Sequence, residues 1–571
     1  VSFVAARIRR RGTGSDADGR WARTRLESQG WRNCDLGFGV RIAVQAKEFR
    51  RLAYSDGEVL LIGEITGEPN LSNLDARSLE TLCSSLVKSI WGSYVALILD
   101  REGGLQGVFR DPSGALDCVI WRSSEDWTVS SDTPDWLFGP DRPSPGVAWP
   151  GIARLLGDPS SLSSLDLLDG ACTVTPGELV LRDGSTRCIW SPGAFAASSH
   201  GSVDAEGLRN VVDLVVPNLT RGREGLLVEI SGGLDSAIVA ASLRRADPSE
   251  NHVWFNAYGP YSESDERAYA DAVANTLGVD LTLHRRTIAD LAAGLSFDHP
   301  RTPRPSLNRM DAAYDALLAD VCDAQELDGI VTGKGGDVVF GQTASSTILA
   351  DQIHDHGLRA LAQPTGVVLA RRMRRSVWRV MRGALAAARD PRPPAKSGFR
   401  LLHPDVALPE SASHPWLRHL HEVPPAKRLQ IAGLVSHLAM HGLSRRSARA
   451  KLIHPLLSQP VMEACLATPL YQLASQGHER LLARQAFVDR LPESVLARRS
   501  KGELGAYYGK VVAANLARLR THLLEGHLSN QGLIDRAETE QALQPDDLIW
   551  RGDYVEIMTL ALVESWCRAW A

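Results

Sequence analysis

Residues 226–245 read LLVEI-SGGLDS-AIVAASLRR. The opening run predicts a buried strand, two glycines turn the chain, and a helix is expected from Ala237 to about Arg245. Backbone N–H groups at such a turn and helix N-terminus carry partial positive charge, which makes an anion site suited to a polyphosphate. Gly232 and Gly233 let the backbone approach phosphate with no Cβ in the way. Ser231 and Ser236 add hydroxyl donors. Asp235 is a carboxylate in the same loop, repelled by phosphate unless Mg²⁺ lies between them, so its presence implies that metal.

Working outward, HVWFNAY (252–258) is the next expected strand, and a helix from about Ser264 places Tyr269, Val273 and Leu277 on one face. LTLHRRT (281–287) reads as a third strand, residues 311–326 as a helix, and DGIVTG (328–333) as a fourth strand. Alternating strands and helices predict an α/β fold with a doubly wound parallel sheet. The fourth strand runs into TGKGGD (332–337), a second glycine-rich loop ending in an acid. Both loops then fall at the carboxyl edge of the sheet, where Asp235 and Asp337 would share one or two Mg²⁺ ions. Taken alone, TGKGGD is equally a plain turn. It is no Walker loop, because it lacks the spacing and the Gly-Lys-Ser/Thr ending. From about 345 to 571 the chain reads mainly helical, interrupted by the Pro-rich basic stretch 389–396.

The first 200 residues have a different texture. VLLIGEI (59–65), SYVALILD (93–100), LQGVFRD (105–111), DCVIW (117–121) and GELVLRDG (177–184) recur between turn signals, as in an antiparallel sheet or sandwich. Residues 139–145 read as a loop, and 191–202 as a domain boundary, giving domains 1–200 and 201–571. A length of 571 residues suits two or three domains, and 44% hydrophobic with 23% charged residues is ordinary for a water-soluble protein. The net charge of −4 predicts no general attraction to nucleic acid or anionic membranes. No apolar run approaches the ~20 residues of a membrane helix, and VSFVAARIRR is too short and charged for a secretory segment. Eight scattered cysteines without CxxC pairs read as reduced thiols, so a cytoplasmic location is expected.

With SGGLDS and TGKGGD in place, the sequence resembles the asparagine synthetase superfamily over nearly its whole length. That resemblance implies an N-terminal glutaminase-like domain and a C-terminal ATP-pyrophosphatase domain with helical additions. A segment at 479–487, followed by 491–496 and 498–502, resembles the family stretch that carries a phosphate-binding lysine, here Lys501. The resemblance implies ATP and Mg²⁺ as cofactors, with Ser231, Gly232, Gly233, Asp235, Ser236, Tyr258, Gly333 and Lys501 around the nucleotide. It also implies Lys501, Asp235 and Asp337 as the catalytic set, the two aspartates holding metal. IGEI (62–65) and FRDPSG (109–114) resemble glutaminase loops, but the asparagine of the first is absent and WGSY (91–94) lacks the acid of a third. A family glutaminase uses a cysteine at its mature N-terminus, whereas Val1 stands first here and the first cysteine is Cys34. The domain is therefore expected to be degenerate, and ammonia is not expected as the amine.

Two branches without a working glutaminase close an intramolecular amide: β-lactam synthetase and the lasso peptide cyclase. SDERAYA (264–270), GGDVVF (335–340), PLLSQP (455–460) and LARRSKG (496–502) resemble the cyclase more closely. The resemblance implies a linear core peptide as substrate, and a leader peptidase and a leader-binding protein as partners. Adenylation of an Asp or Glu side chain would precede attack by the peptide's N-terminal amine. The family acid or tyrosine of the second loop is Lys334 here, so the base must be sought elsewhere; Asp351, His354 and Glu503 are candidates. His354-Asp355-His356 fits surface polarity better than a metal site, since residues two apart on a helix face different ways. The stretch RRMRRSVWR (371–379) is either a peptide or partner contact or a solvated basic face. An amide ligase acting on a small molecule, and a non-catalytic scaffold, are the competing readings.

Overall fold

A computed structural model describes residues 2–7, 26–27, 30–45, 49–69, 78–122, 127–138, 144–198, 201–249, 251–259, 265–389, 398–406, 413–474, 479–498 and 505–571. The N-terminal part holds two six-stranded antiparallel sheets. The first runs Ala171–Thr173, Val119–Arg122, Trp127–Ser130, Phe3–Arg7, Val40–Val44, Arg32–Gly37. The second runs Thr186–Cys188, Glu178–Leu181, Leu105–Arg110, Trp91–Asp100, Gly57–Thr66, Phe49–Tyr54. Alternation along the strands explains the packing. Leu60 and Ile62, with Val95, Leu97 and Leu99, fill the space between the sheets. Val59, Leu61, Tyr94, Ala96 and Ile98 point the other way, onto Leu82, Cys83 and Leu86 of the helix Leu79–Ser89. Both faces of these strands are buried, which is why they read as unbroken apolar runs.

The C-terminal sheet has five strands in the order Leu281–Arg285, Val253–Tyr258, Leu226–Glu229, Gly329–Val331, Lys451–Ile453, and every neighbouring pair is parallel. Helices Ala205–Thr220 and Leu234–Ala246 contribute to the core on one face of the sheet, with Leu226 and Val228. Leu318 and Cys322 of Ala312–Ala324 meet Leu227, Phe255 and Ile330 on the other. This is the expected doubly wound arrangement.

Several expected elements differ in extent. The helix after the first loop begins at Leu234, three residues early, so Asp235 and Ser236 lie in its first turn. Asp311 caps the helix Ala312–Ala324 instead of belonging to it, accepting the Tyr314 N–H at 3.1 Å. The boundary stretch 191–202 contains a short helix, Pro192–Ala196, capped by Ser191. The fifth strand, Lys451–Ile453, was not expected: three residues inside a helical region give no periodic signal. Ser264, the loop residues 139–143 and residues 390–396 of the basic stretch lie outside the described residues. Among the described residues no helix is long and apolar enough to cross a membrane.

The two parts share one interior. Ile152, Leu155 and Leu156 pack in the same cluster as Val511, Leu519, Trp566 and Trp570. Polar bonds cross the seam as well. Arg223 reaches Glu64 (2.7 Å), Arg304 reaches Asp117 (2.9 Å), and the Trp416 indole donates to Pro176 O (2.9 Å).

Candidate active site

The two glycine loops meet at the carboxyl edge of the parallel sheet, on the ends of adjacent strands. Gly333 packs against the backbone of the first loop, and Gly336 against the side chain of Asp235. A Cβ on Gly333 would lie 2.3 Å from the Ser236 nitrogen, and one on Gly336 would lie 2.5 Å from Asp235 Cγ. Neither distance is compatible with a side chain. In the first loop, Gly232 adopts φ +80°, a left-handed conformation open to glycine. The serines close the loop on itself. Ser236 Oγ lies 2.9 Å from Ser231 Oγ and accepts the Ser231 N–H at 3.1 Å, while Gly233 N donates to Ser231 Oγ at 3.3 Å.

Each acid has a basic neighbour. Arg480 Nη1 donates to Asp235 Oδ2 at 2.8 Å, and both residues are buried. His437 Nε2 lies 3.3 Å from Asp337 Oδ1. Burial opposes a charge on His437, but the hydrogen bond and charge of Asp337 prevail and raise its pKa. Arg498 donates to Gly232 O at 3.0 Å and to Glu266, with its guanidinium 4.1 Å from the Tyr269 ring centre. Arg484 ties together the segment that delivers these arginines, donating to Glu479 O and Arg498 O at 3.0 Å each.

These groups line a cavity of about 1100 Å³. The polar lining includes Ser231, Gly233, Asp235, Ser236, Gly333, Asp337, Arg480, Arg484 and Arg498, together with Glu229, Arg286, Asp311, Tyr314, Lys334, Asn308 and Arg446. The apolar lining comes from Leu155, Pro159 and Leu162 of the N-terminal part, from Leu307, Met310, Phe399 and Met440, and from Val555 and Val563 of the helix Tyr554–Trp570. The volume exceeds the ~300–1,000 Å³ of an ordinary small-molecule pocket, so it suits two reactants at once.

Of the residues singled out in the sequence, Ser231, Gly233, Asp235, Ser236, Gly333, Lys334 and Asp337 are brought to this one cavity. Others are not. Gly232 is absent from the wall; it turns the loop against Glu266 and Tyr269. Tyr258 ends its strand under the Arg267 guanidinium, 4.1 Å away, and is not part of the wall; its neighbours Asn256 and Ala257 are. Asp351 is buried away from the cavity, where it accepts the Ala426 N–H at 2.9 Å. His354 stands in solvent beside Asp355. Neither is placed to act as the base. Lys501 and Glu503 lie outside the described residues. Among the described residues no group of three or more His, Cys, Asp or Glu side chains is arranged to hold a metal ion. Arg371, Arg374, Arg375 and Arg379 are exposed and apart from the cavity, while Arg372 turns inward to Glu479 at 3.1 Å. The residues that local reading missed are Arg480, His437, Arg286, Tyr314 and Arg446, each delivered from a distant part of the chain.

The donor set fits a magnesium nucleotide. Two carboxylates are what Mg²⁺ uses alongside phosphate oxygens. The glycine contact keeps the loop backbones bare for phosphate. Asn256 donates to Ile230 O at 2.7 Å, and its buried Oδ1 has no donor among the described residues, leaving an acceptor at the strand end for a ligand.

The glutaminase-like loops serve a different purpose. Glu64 takes Arg223, and Ser93 lies 3.4 Å from Lys451 Nζ, so both segments bind the second domain. Burial raises the thiol pKa of Cys83, Cys118, Cys172 and Cys188, the opposite of an activated nucleophile.

Residues 207–568 match the asparagine synthase family, more than half of the chain, and the chain belongs to that family. Membership implies ATP-dependent amide formation. No curated protein matches. Two solved structures share 10% identity with the chain. One is titled the allosteric regulatory enzyme of purine biosynthesis (TM-score 0.20, covering 52% of this chain and 82% of that one). The other is glutamine phosphoribosylpyrophosphate amidotransferase from B. subtilis (TM-score 0.18, covering 63% and 79%). Scores this low carry no argument.

Proposed function

We propose that this chain is a lasso peptide cyclase, an ATP-dependent macrolactam-forming ligase. It adenylates an Asp or Glu side chain of a leader-free linear peptide and joins it to the peptide's own N-terminal amine, releasing AMP and pyrophosphate. The observation that carries the reading is that the phosphate loops and an extensive apolar lining share one cavity of about 1100 Å³. The cavity suits a folded peptide better than ammonia or a small amino acid, and the cyclase-like segments quoted above support the same choice.

The residues fall into roles. The Ser231–Ser236 loop and the arginines 480, 484 and 498 offer donors and positive charge to the leaving pyrophosphate. Asp235 and Asp337 would hold Mg²⁺, which supplies charge neutralisation on the phosphates when bound. Lys501 is assigned to the same service. The apolar wall excludes water from the activated acyl group and fixes the peptide, so that amine and acyl carbon meet first; such orientation is worth ~7–11 kcal/mol. The peptide would come from a peptidase and a leader-binding protein acting before this chain.

The test incubates the protein with Mg-ATP and a panel of linear peptides, each with a free N-terminus and one internal Asp or Glu. A product lighter by one water, formed with AMP and pyrophosphate, is expected. ATP turnover only with a free amino acid and ammonia, or only with an isolated small molecule, overturns the reading.

A further inference from the structure

Glu229 ends the first strand of the parallel sheet, two residues before the phosphate loop, and lines the cavity. Most charges around it are matched. Arg286 donates to both oxygens of Asp311 at 2.8 Å, Arg446 lies 3.4 Å from Asp315, and Arg480, Arg498 and His437 hold Asp235, Glu266 and Asp337. Asp158, which also lines the cavity, accepts the hydroxyls of Ser160 and Ser161. Arg484 is held by backbone carbonyls alone, and Lys334 and Glu229 have no direct ion pair among the described residues, although the charge of Glu229 acts on Lys334. Lys334 Nζ donates to the neutral Asn308 amide at 3.2 Å, and Glu229 accepts only the hydroxyl of Tyr314.

Tyr314 is built as a fixed donor. Burial and then the charge of Glu229 keep its phenol protonated. The guanidinium groups of Arg286 and Arg446 sit 5.5 and 5.6 Å from its ring centre. One carboxylate oxygen is thus tethered, while a carboxylate can accept about four hydrogen bonds. Glu229 and Lys334 bring opposite charges to one cavity, which suits a reactant that carries both an amine and a carboxylate.

We propose that Glu229, oriented by Tyr314, is the seat of the attacking primary amine. This rests on the ligase reading and names where its second reactant binds. The carboxylate attracts the amine as its ammonium form, which loses one proton to solvent near neutral pH, an α-amino pKa being about 8. The neutral nitrogen attacks the acyl carbon of the adenylate. A C–N bond forms, the C–O bond to AMP breaks, and AMP leaves with the bonding pair. The proton shed by nitrogen passes to Glu229. Glu229 is then a catalytic residue and Tyr314 a positioning one.

The experiment compares wild type with Glu229→Gln, Glu229→Asp and Tyr314→Phe, on a peptide that the wild type activates. Two products are read from the same adenylate: the ring, and the hydroxamate trapped by concentrated hydroxylamine, a small nucleophile that needs no seat. In Glu229→Gln the hydroxamate rate is expected within about twofold of wild type, while ring formation falls about 100-fold or more. Glu229→Asp retains more ring formation than the amide variant, and Tyr314→Phe loses less than Glu229→Gln. Undiminished ring formation in Glu229→Gln overturns the proposal and leaves the ligase reading intact. Loss of both products together in Glu229→Gln and Glu229→Asp also overturns it, assigning Glu229 to structure or to adenylation. Absence of hydroxamate from wild type with every peptide overturns the ligase reading itself, and the seat with it.

Discussion

A single added carbon on Gly336 would stand 2.5 Å from Cγ of Asp235. The second glycine loop is therefore the surface against which the first loop's acid is positioned. Gly336→Ala is expected to displace Asp235 and cost about 1–3 kcal/mol through overpacking. Gly333→Ala should cost more, because its obstacle is the Ser236 backbone rather than a side chain. Urea midpoints measure the stability loss, and titration with Mg-ATP should show nucleotide affinity falling in the same order.

Arg480 and Asp235 form a buried ion pair at 2.8 Å, and Arg480 also reaches Glu479 at 3.0 Å. Arg480→Ala is expected to destabilise the protein by about 3–5 kcal/mol, with Arg480→Lys intermediate because it keeps charge but loses the guanidinium fork. Chemical denaturation reads the effect. Equal stability of wild type and the alanine variant would show that the pair contributes nothing.

Lys334 gives a pH signature. Burial is the main cause lowering its pKa to about 8 from 10.5, with Arg446 adding to the shift. Above about pH 8 the unfolded chain binds the proton that the folded one has released, so stability attributable to this group rises with pH up to about 10.5. Lys334→Met should therefore be more stable than wild type at pH 7. That advantage is at most about 3 kcal/mol at ~1.4 kcal/mol per pH unit, and it should shrink between pH 8 and 10.5. A difference constant across that range refutes the assignment.

Asp117 joins the two domains by accepting Arg110 from its own domain and Arg304 from the other, both at 2.9 Å. Burial pushes its carboxyl up, but the two guanidinium groups prevail and hold it below its usual 3.8. Its contribution is present above pH 3.8 and lost as pH falls through the depressed folded value. Asp117→Ala should cost about 3–5 kcal/mol at pH 7, and the gap to wild type should close in acid below pH 3.8. Calorimetry is expected to show one unfolding transition in wild type and two in the variant, as the domains uncouple.

The strands around SGGLDS and the sandwich strands were legible because burial on both faces leaves long apolar runs, and because glycines mark where they stop. The phosphate loops carry their chemistry within six residues each, so they too can be read locally. Glu229 was read merely as part of LLVEI, since nothing in that run says that Tyr314, 85 residues on, supplies its hydrogen bond. Arg480 meets Asp235 across 245 positions, which no periodicity reveals. Residue type alone points to Asp351 and His354 as bases. The first proved to be bound to a backbone N–H in the core and the second to stand in solvent. Lys451–Ile453 is too short to announce itself and is a strand only because Gly329–Val331 offers it an edge.

That late edge strand has a consequence for biogenesis. The strands of the antiparallel sheets all emerge from the ribosome before residue 189, and most pair with near neighbours in sequence. The parallel sheet cannot be completed until residue 453 is synthesised, more than a hundred residues after the strand it joins. Loop-closure entropy makes such non-local pairing slow. The nascent chain thus carries a finished sandwich beside an incomplete parallel sheet for the whole intervening stretch, a window in which a holding chaperone has the most to protect.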